Sequence, residues 1–236
     1  MFLVFDDRPS DSPFVERVWR CRSEGGGRFL SVASSHWEMV VTRVRGETTL
    51  TVRGPETKVT ELDCPAEGEW IGIRFKLGTF MPKLPVIRLI DGQDVNLAQA
   101  TARSFWLNAS VWDYPDFENA ETFVSRLFKS DLITSDSAVE GVLRAETQAQ
   151  SQRSIQRHFL YATGMTQTTY RQIQRARYAT NLLKAGVPIA DVVYEAGYFD
   201  QPHLSRSLKR LIGQTPGNVA GRRGQLSFLC NTDPPR

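Results

Sequence analysis

Histidine and cysteine are scarce in this 236-residue chain, three of each, and both shortages exclude chemistry. His36 is the only histidine in the N-terminal half of the chain. A metal-dependent barrel needs several imidazoles with a carboxylate to hold a divalent transition metal, so His36 alone cannot build one and reads as a rim or satisfied residue. No serine in that half has another histidine to activate it as a nucleophile. No catalytic residue, metal ligand or cofactor is expected, and the chain does not read as an enzyme. Cys21, Cys64 and Cys230 are odd in number and widely scattered, which gives no disulfide framework or metal site and suits buried or indifferent thiols. Long apolar runs are missing as well. The run from Met1 to Phe5 stops at Asp6 and Asp7, too short for a signal peptide or a membrane span, so a cytoplasmic location without a membrane partner is expected.

The net charge of +3 is small but unevenly spread. Residues 139–224 hold 12 Lys and Arg against 5 Asp and Glu, whereas residues 1–138 hold 16 against 20. A mildly acidic segment joined to a basic one suggests that the C-terminal third alone meets a polyanion.

Residues 14–77 read as a run of short strands. The segments starting at Phe14, Trp37, Thr48, Lys58 and Trp70 are rich in β-branched and aromatic residues, and Gly25-Gly-Gly27, Arg45-Gly46, Gly54-Pro55 and Glu67-Gly68 mark turns between them. Such spacing predicts a small barrel or sandwich. Trp19, Trp37, Trp70, Phe75 and Phe80 suit either a plain core or the lining of a ligand cavity. From Asp94 the spacing of Val95, Ala98, Ala102, Phe105 and Trp106 predicts helix, and after Tyr114-Pro115 a second helical segment places Phe123, Val124, Leu127 and Phe128 on one face. That stripe fits packing on its own domain or a homodimer seam. Residues 131–137, with Thr134-Ser-Asp-Ser137, read as a linker.

The most informative stretch runs from Ile189 to Arg210. Ile189, Val192, Val193 and Ala196 fall at helical spacing, Gly197 supplies a turn, Asp200 can cap a second helix, and Pro202 sits in that helix's first turn. Leu204, Leu208 and Leu211 then face inward, leaving Gln201, His203, Ser205, Arg206, Lys209 and Arg210 outward. By spacing alone this is a packed helical hairpin or a helix-turn-helix that reads DNA.

The wording goes further than the spacing. Ala196-Gly-Tyr-Phe-Asp-Gln-Pro-His-Leu-Ser-Arg-Ser-Leu-Lys-Arg210, followed by Gly213-Gln-Thr-Pro216, closely resembles the signature of the AraC/XylS family of transcription regulators. That resemblance implies two helix-turn-helix units joined by a long helix. Upstream, Ser151-Gln-Arg-Ser-Ile-Gln-Arg-His-Phe159 and Ala162-Thr-Gly-Met-Thr166 resemble the family's first recognition helix and the turn after it. Residues 138–150 leave room for one helix before it where the family has two, and Ala149 stands in place of the turn glycine, so the first unit is abbreviated. Residues 168–184 form the connecting helix, about 25 Å long at 1.5 Å per residue.

The resemblance implies an α+β chain: an N-terminal β-rich, cupin-like barrel with a helical linker, then an all-α domain with two helix-turn-helix units. The expected divisions are 1–93 for sensing or dimerisation, 94–130 helical, 131–137 linker, 138–224 DNA-binding domain and 225–236 tail. By matching positions, the base-facing residues are Arg153, Gln156 and Arg157 in the first helix and Gln201, Pro202, His203, Ser205 and Arg206 in the second. Lys209 and Arg210 suit phosphate. The function implied is sequence-specific binding of double-stranded DNA to regulate transcription under an unknown small-molecule effector, with RNA polymerase and a homodimer as further partners. The competing reading is a protein-interaction module that has lost autonomous DNA binding.

Overall fold

The computed structural model describes residues 3–143 and 151–221. Cys230, Ala149 and the tail at 225–236 lie outside the described residues. The architecture is mixed α+β, β-rich in its N-terminal part and helical in its C-terminal part. In chain order the strands are β1 Leu3–Pro9, β2 Val15–Ser23, β3 Gly27–Ser31, β4 Glu38–Val44, β5 Glu47–Arg53, β6 Thr60–Cys64, β7 Glu69–Phe75, β8 Thr79–Phe80, β9 Val95–Leu97, β10 Gln99–Thr101, β11 Ser104–Leu107, β12 Ser110–Asp113 and β13 Thr134–Ser135. The helices are α1 Ala120–Lys129, α2 Ser137–Leu143, α3 Gln152–Thr163, α4 Gln167–Lys184, α5 Ile189–Glu195, α6 Gln201–Leu211 and α7 Pro216–Ala220.

Two compact units emerge. Among the described residues, the first comprises 3–27, 36–55, 64–143 and 151–166, and the second comprises 28–35, 56–63 and 167–221. In the first, an antiparallel sheet runs in the order β1-β2-β7-β4-β5-β9. Val15, Val18, Val41, Leu50, Val52, Ile73 and Phe75 enter the core; burial alternates along β5, as on a half-buried strand, whereas residues 38–41 of β4 and 72–75 of β7 are buried in continuous runs. Trp37 stacks flat on Phe75, with ring centroids 3.8 Å apart, and its indole N–H donates to the Thr79 carbonyl at 2.6 Å. Trp19, Phe75 and Phe80 are likewise core residues, whereas Trp70 is half-buried. His36 Nε2 lies 3.2 Å from a Glu16 carboxylate oxygen.

The helix expected over the first part of 94–130 is not formed: residues 95–113 carry β9 to β12, with β10, β11 and β12 in a sheet of their own. The second part is helical as expected. On α1, Phe123, Val124 and Leu127 are buried, and Phe123 meets Trp112 edge-on at 6.0 Å. Phe128 is exposed on one side but stacks on Phe14 at 4.4 Å. Residues 131–137 are more tightly held than their composition suggests. Leu132 and Ile133 are buried, and Thr134 and Ser135 pair with Phe80 and Thr79.

In the second unit, β3 and β6 form a two-stranded ribbon beside the helices. The Ala33 N–H donates to the Leu211 carbonyl at 2.8 Å and the Val59 N–H to the Arg210 carbonyl at 3.0 Å. Carbonyls at a helix C-terminus have no partner within the helix, so the ribbon satisfies two of them on α6. Gln174 on α4 donates to the Ser35 hydroxyl at 3.2 Å.

Candidate nucleic-acid interface

The helix-turn-helix at 189–211 is assembled from local rules. Pro188 caps α5, Val192 and Ala196 are buried, and Ile189 and Val193 are half-buried. Gly197 then takes φ +65°, the left-handed conformation that ends a helix at least cost without a Cβ. Tyr198 turns inward and anchors the turn: its hydroxyl lies 3.1 Å from Ser207 Oγ and the Arg175 guanidinium sits 4.5 Å above its ring. Arg175 also donates to the Gly197 carbonyl at 3.3 Å, so this residue braces the turn. Asp200 Oδ1 accepts the His203 N–H at 2.6 Å, an N-cap that satisfies one orphan donor of α6.

On α6, Leu204, Leu208 and Leu211 form the buried ridge, each side chain contributing roughly 1.5–3 kcal/mol through its removal from water. Gln201, Pro202, Arg206, Lys209 and Arg210 remain exposed together. His203 and Ser205 are half-buried, and the His203 ring packs edge-on against Tyr198 at 5.1 Å, so part of its surface holds the turn. Arg206 has no ion-pair partner among the described residues, which leaves its guanidinium fork open.

The upstream helix α3 lies in the first unit. Ser151 caps it, its hydroxyl accepting the Ser154 N–H at 3.3 Å. Arg153, Gln156 and Arg157 are exposed, while Phe159 is buried and Ile155 half-buried. The rest of α3 is engaged with its own unit: His158 Nδ1 lies 2.8 Å from Asp136 Oδ2, and Tyr161 meets Phe80 edge-on at 5.2 Å. Between β13 and α3 the described residues hold one helix, α2. The connecting helix α4 has 18 residues, about 27 Å at 1.5 Å per residue.

Sequence reasoning missed two side chains. Phe199, next to the α6 cap, is 92% exposed, and Tyr194 on α5 is 87% exposed. The helical spacing that buries Val192 and Ala196 already turned Tyr194 outward. The cap at Asp200 placed Phe199 outside the helix, but nothing local separated its outward course from the inward one of Tyr198.

Comparison with known proteins agrees with this geometry. Residues 145–222 match the family model described as a helix-turn-helix domain. The HTH-type transcriptional regulator RipA of Corynebacterium glutamicum is 34% identical over 92 residues, 39% of this chain and 27% of that protein. RipA of Corynebacterium diphtheriae is 32% identical over 85 residues, 36% of this chain and 25% of that protein. The match thus spans about a quarter of the length of these relatives. No solved structure matches the chain. What the chain shares with these transcriptional regulators is a helix-turn-helix domain, the class of element that binds DNA. The matched region contains the signature at 196–216, which resembles that of AraC-family regulators.

No helix among the described residues is long and apolar enough to cross a membrane. No cluster of three or more His, Cys, Asp or Glu among them is placed to hold a metal.

Proposed function

We propose that the chain binds specific DNA sequences through two helix-turn-helix units joined by α4, and that α6 is the leading reader. The observation that carries this reading is the division of α6 into a buried leucine ridge and an open face of Gln201, Pro202, Arg206, Lys209 and Arg210. Arg206 suits bidentate contact with guanine and Gln201 with adenine, Pro202 offers only apolar contact, and Lys209 and Arg210 suit phosphate. On α3, Arg153, Gln156 and Arg157 are the matching set. The N-terminal strands, read as a cupin-like barrel, serve as a sensing or dimerising module. The open cleft of about 690 Å³ beside Trp70, Phe117 and Arg20 is the place where a small effector would enter.

Selection of bound fragments from a genomic library, followed by mobility shifts, tests this reading. Arg206→Ala should cost about 1–3 kcal/mol on the selected site and relax preference at one base pair. Lys209→Ala should weaken all sequences alike and lower the salt slope by about one. Unchanged sequence preference in Arg206→Ala would remove that residue from base readout. Retention of no fragment at low salt would favour the protein-interaction module instead.

A further inference from the structure

Phe199 is the most exposed large apolar side chain among the described residues, and both of its chain neighbours are engaged elsewhere. Tyr198 on one side is buried and tied to Ser207 and Arg175. Asp200 on the other side caps α6. The Phe199 ring meets no other aromatic ring or cation among the described residues, and its own N–H points to His203 Nδ1 at 3.5 Å. A phenylalanine left in water forgoes the burial that the residue type ordinarily gains. Its position says what would cover it. In a helix-turn-helix, the N-terminal end of the second helix is the part that enters the major groove, and Phe199 stands one residue before the cap of that helix, ahead of the exposed Gln201 and Pro202. The apolar group that duplex DNA offers in the major groove is the C5-methyl of thymine.

We infer that Phe199 is a specificity-determining residue that packs on a thymine methyl at the edge of the α6 footprint; the inference rests on the DNA-binding reading above. It adds an apolar contact N-terminal to the helix to the polar readout by Gln201 and Arg206. The contact is one that a substitution on DNA can delete atom by atom.

The test uses the full chain and a duplex selected by it, in which each thymine is replaced in turn by deoxyuridine to remove one methyl. The unaltered chain should lose about fourfold in affinity at one thymine, the equivalent of one methyl no longer buried. Phe199→Ala should bind thymine and uracil equally at that position and keep every other uracil penalty, including any that arises from Pro202. Phe199→Leu, which retains an apolar side chain, should keep a reduced penalty at the same position. Since the ring is exposed, neither change should lower Tm, and circular dichroism establishes that both variants are folded. If the selected duplex has no uracil-sensitive thymine, or if Phe199→Ala keeps all penalties, the assignment of Phe199 is overturned while the DNA-binding reading stands. If the unaltered chain retains no duplex at all, both are overturned together.

Discussion

The Glu121 carboxylate shows how a single ion pair ties helix to sheet and sets a pH limit. Arg8 on β1 donates to it through Nη1 and Nη2, the latter at 2.9 Å, and also to the Phe117 carbonyl at 2.7 Å. Hydrogen bonding from Arg8 is the main cause that holds the carboxyl below its ordinary value of 4.5, with burial opposing it. A group whose folded value is depressed contributes stability above its unfolded value and loses that contribution as pH falls through the folded one. Thermal melts should therefore show Tm falling as pH drops below about 4.5, and Glu121→Gln should flatten that acid limb. An unchanged acid limb in the variant would show that Glu121 adds nothing to it. Cys21 behaves oppositely: burial, with a smaller contribution from Cys64, pushes its thiol up to about 12 and keeps it neutral. Residue-scale features with local causes were readable from sequence, among them the cap at Asp200 and the turn at Gly197. The fully buried Arg74 was not. Its partner Glu38 lies across the β4–β7 register, Nε to Oε1 at 2.7 Å, and register is a property of two strands far apart in sequence.

Turns account for most of what was legible among the elements and what was not. Arg45-Gly46 announced its hairpin, and with φ +52° and +82° it joins β4 to β5 across Val44 and Glu47. The equivalent turn between β11 and β12 is Asn108-Ala109, with φ +50° and +60° across Leu107 and Ser110. A primed turn without glycine gives a weak sequence signal, and strands of three or four residues are too short to establish a period of two. The spacing of Val95, Ala98, Ala102, Phe105 and Trp106 therefore imitated a helix. A second element-scale feature can be tested through glycine. Gly213 takes φ +82°, and a Cβ there would lie 2.9 Å from Val59 Cγ2 and 3.0 Å from Leu30 Cδ1 on the ribbon side. Gly186 takes φ +86° with nothing within 4 Å. Urea unfolding should find Gly213→Ala destabilised by about 1–3 kcal/mol, from backbone strain and crowding together. Gly186→Ala should lose only the conformational part, about 1 kcal/mol. Equal losses would mean that the ribbon yields freely to the added methyl.

For the whole molecule, the sequence located the helical region and its helix-turn-helix but not the strands that accompany it. The segment starting at Lys58 was legible as a strand from its β-branched residues, yet its grouping with helices more than a hundred residues later had no local signature. A fragment of residues 138–224 would lack residues 28–35 and 56–63 of the second unit. It would leave the Leu211 and Arg210 carbonyls without their donors from Ala33 and Val59. Hydrogen exchange should show the amides of 208–219 less protected in that fragment than in the full chain, with a lower Tm for the fragment. Equal protection would show that the helices are self-sufficient.

The same ribbon carries a consequence in time. During synthesis Leu30 and Val59 leave the ribosome well before Gly213, the residue they pack against. At about 5–20 residues per second, the 154 positions between Val59 and Gly213 take roughly 8–30 s. For that interval Leu30 and Val59 wait without the segment that covers them, so this pairing is among the last to form.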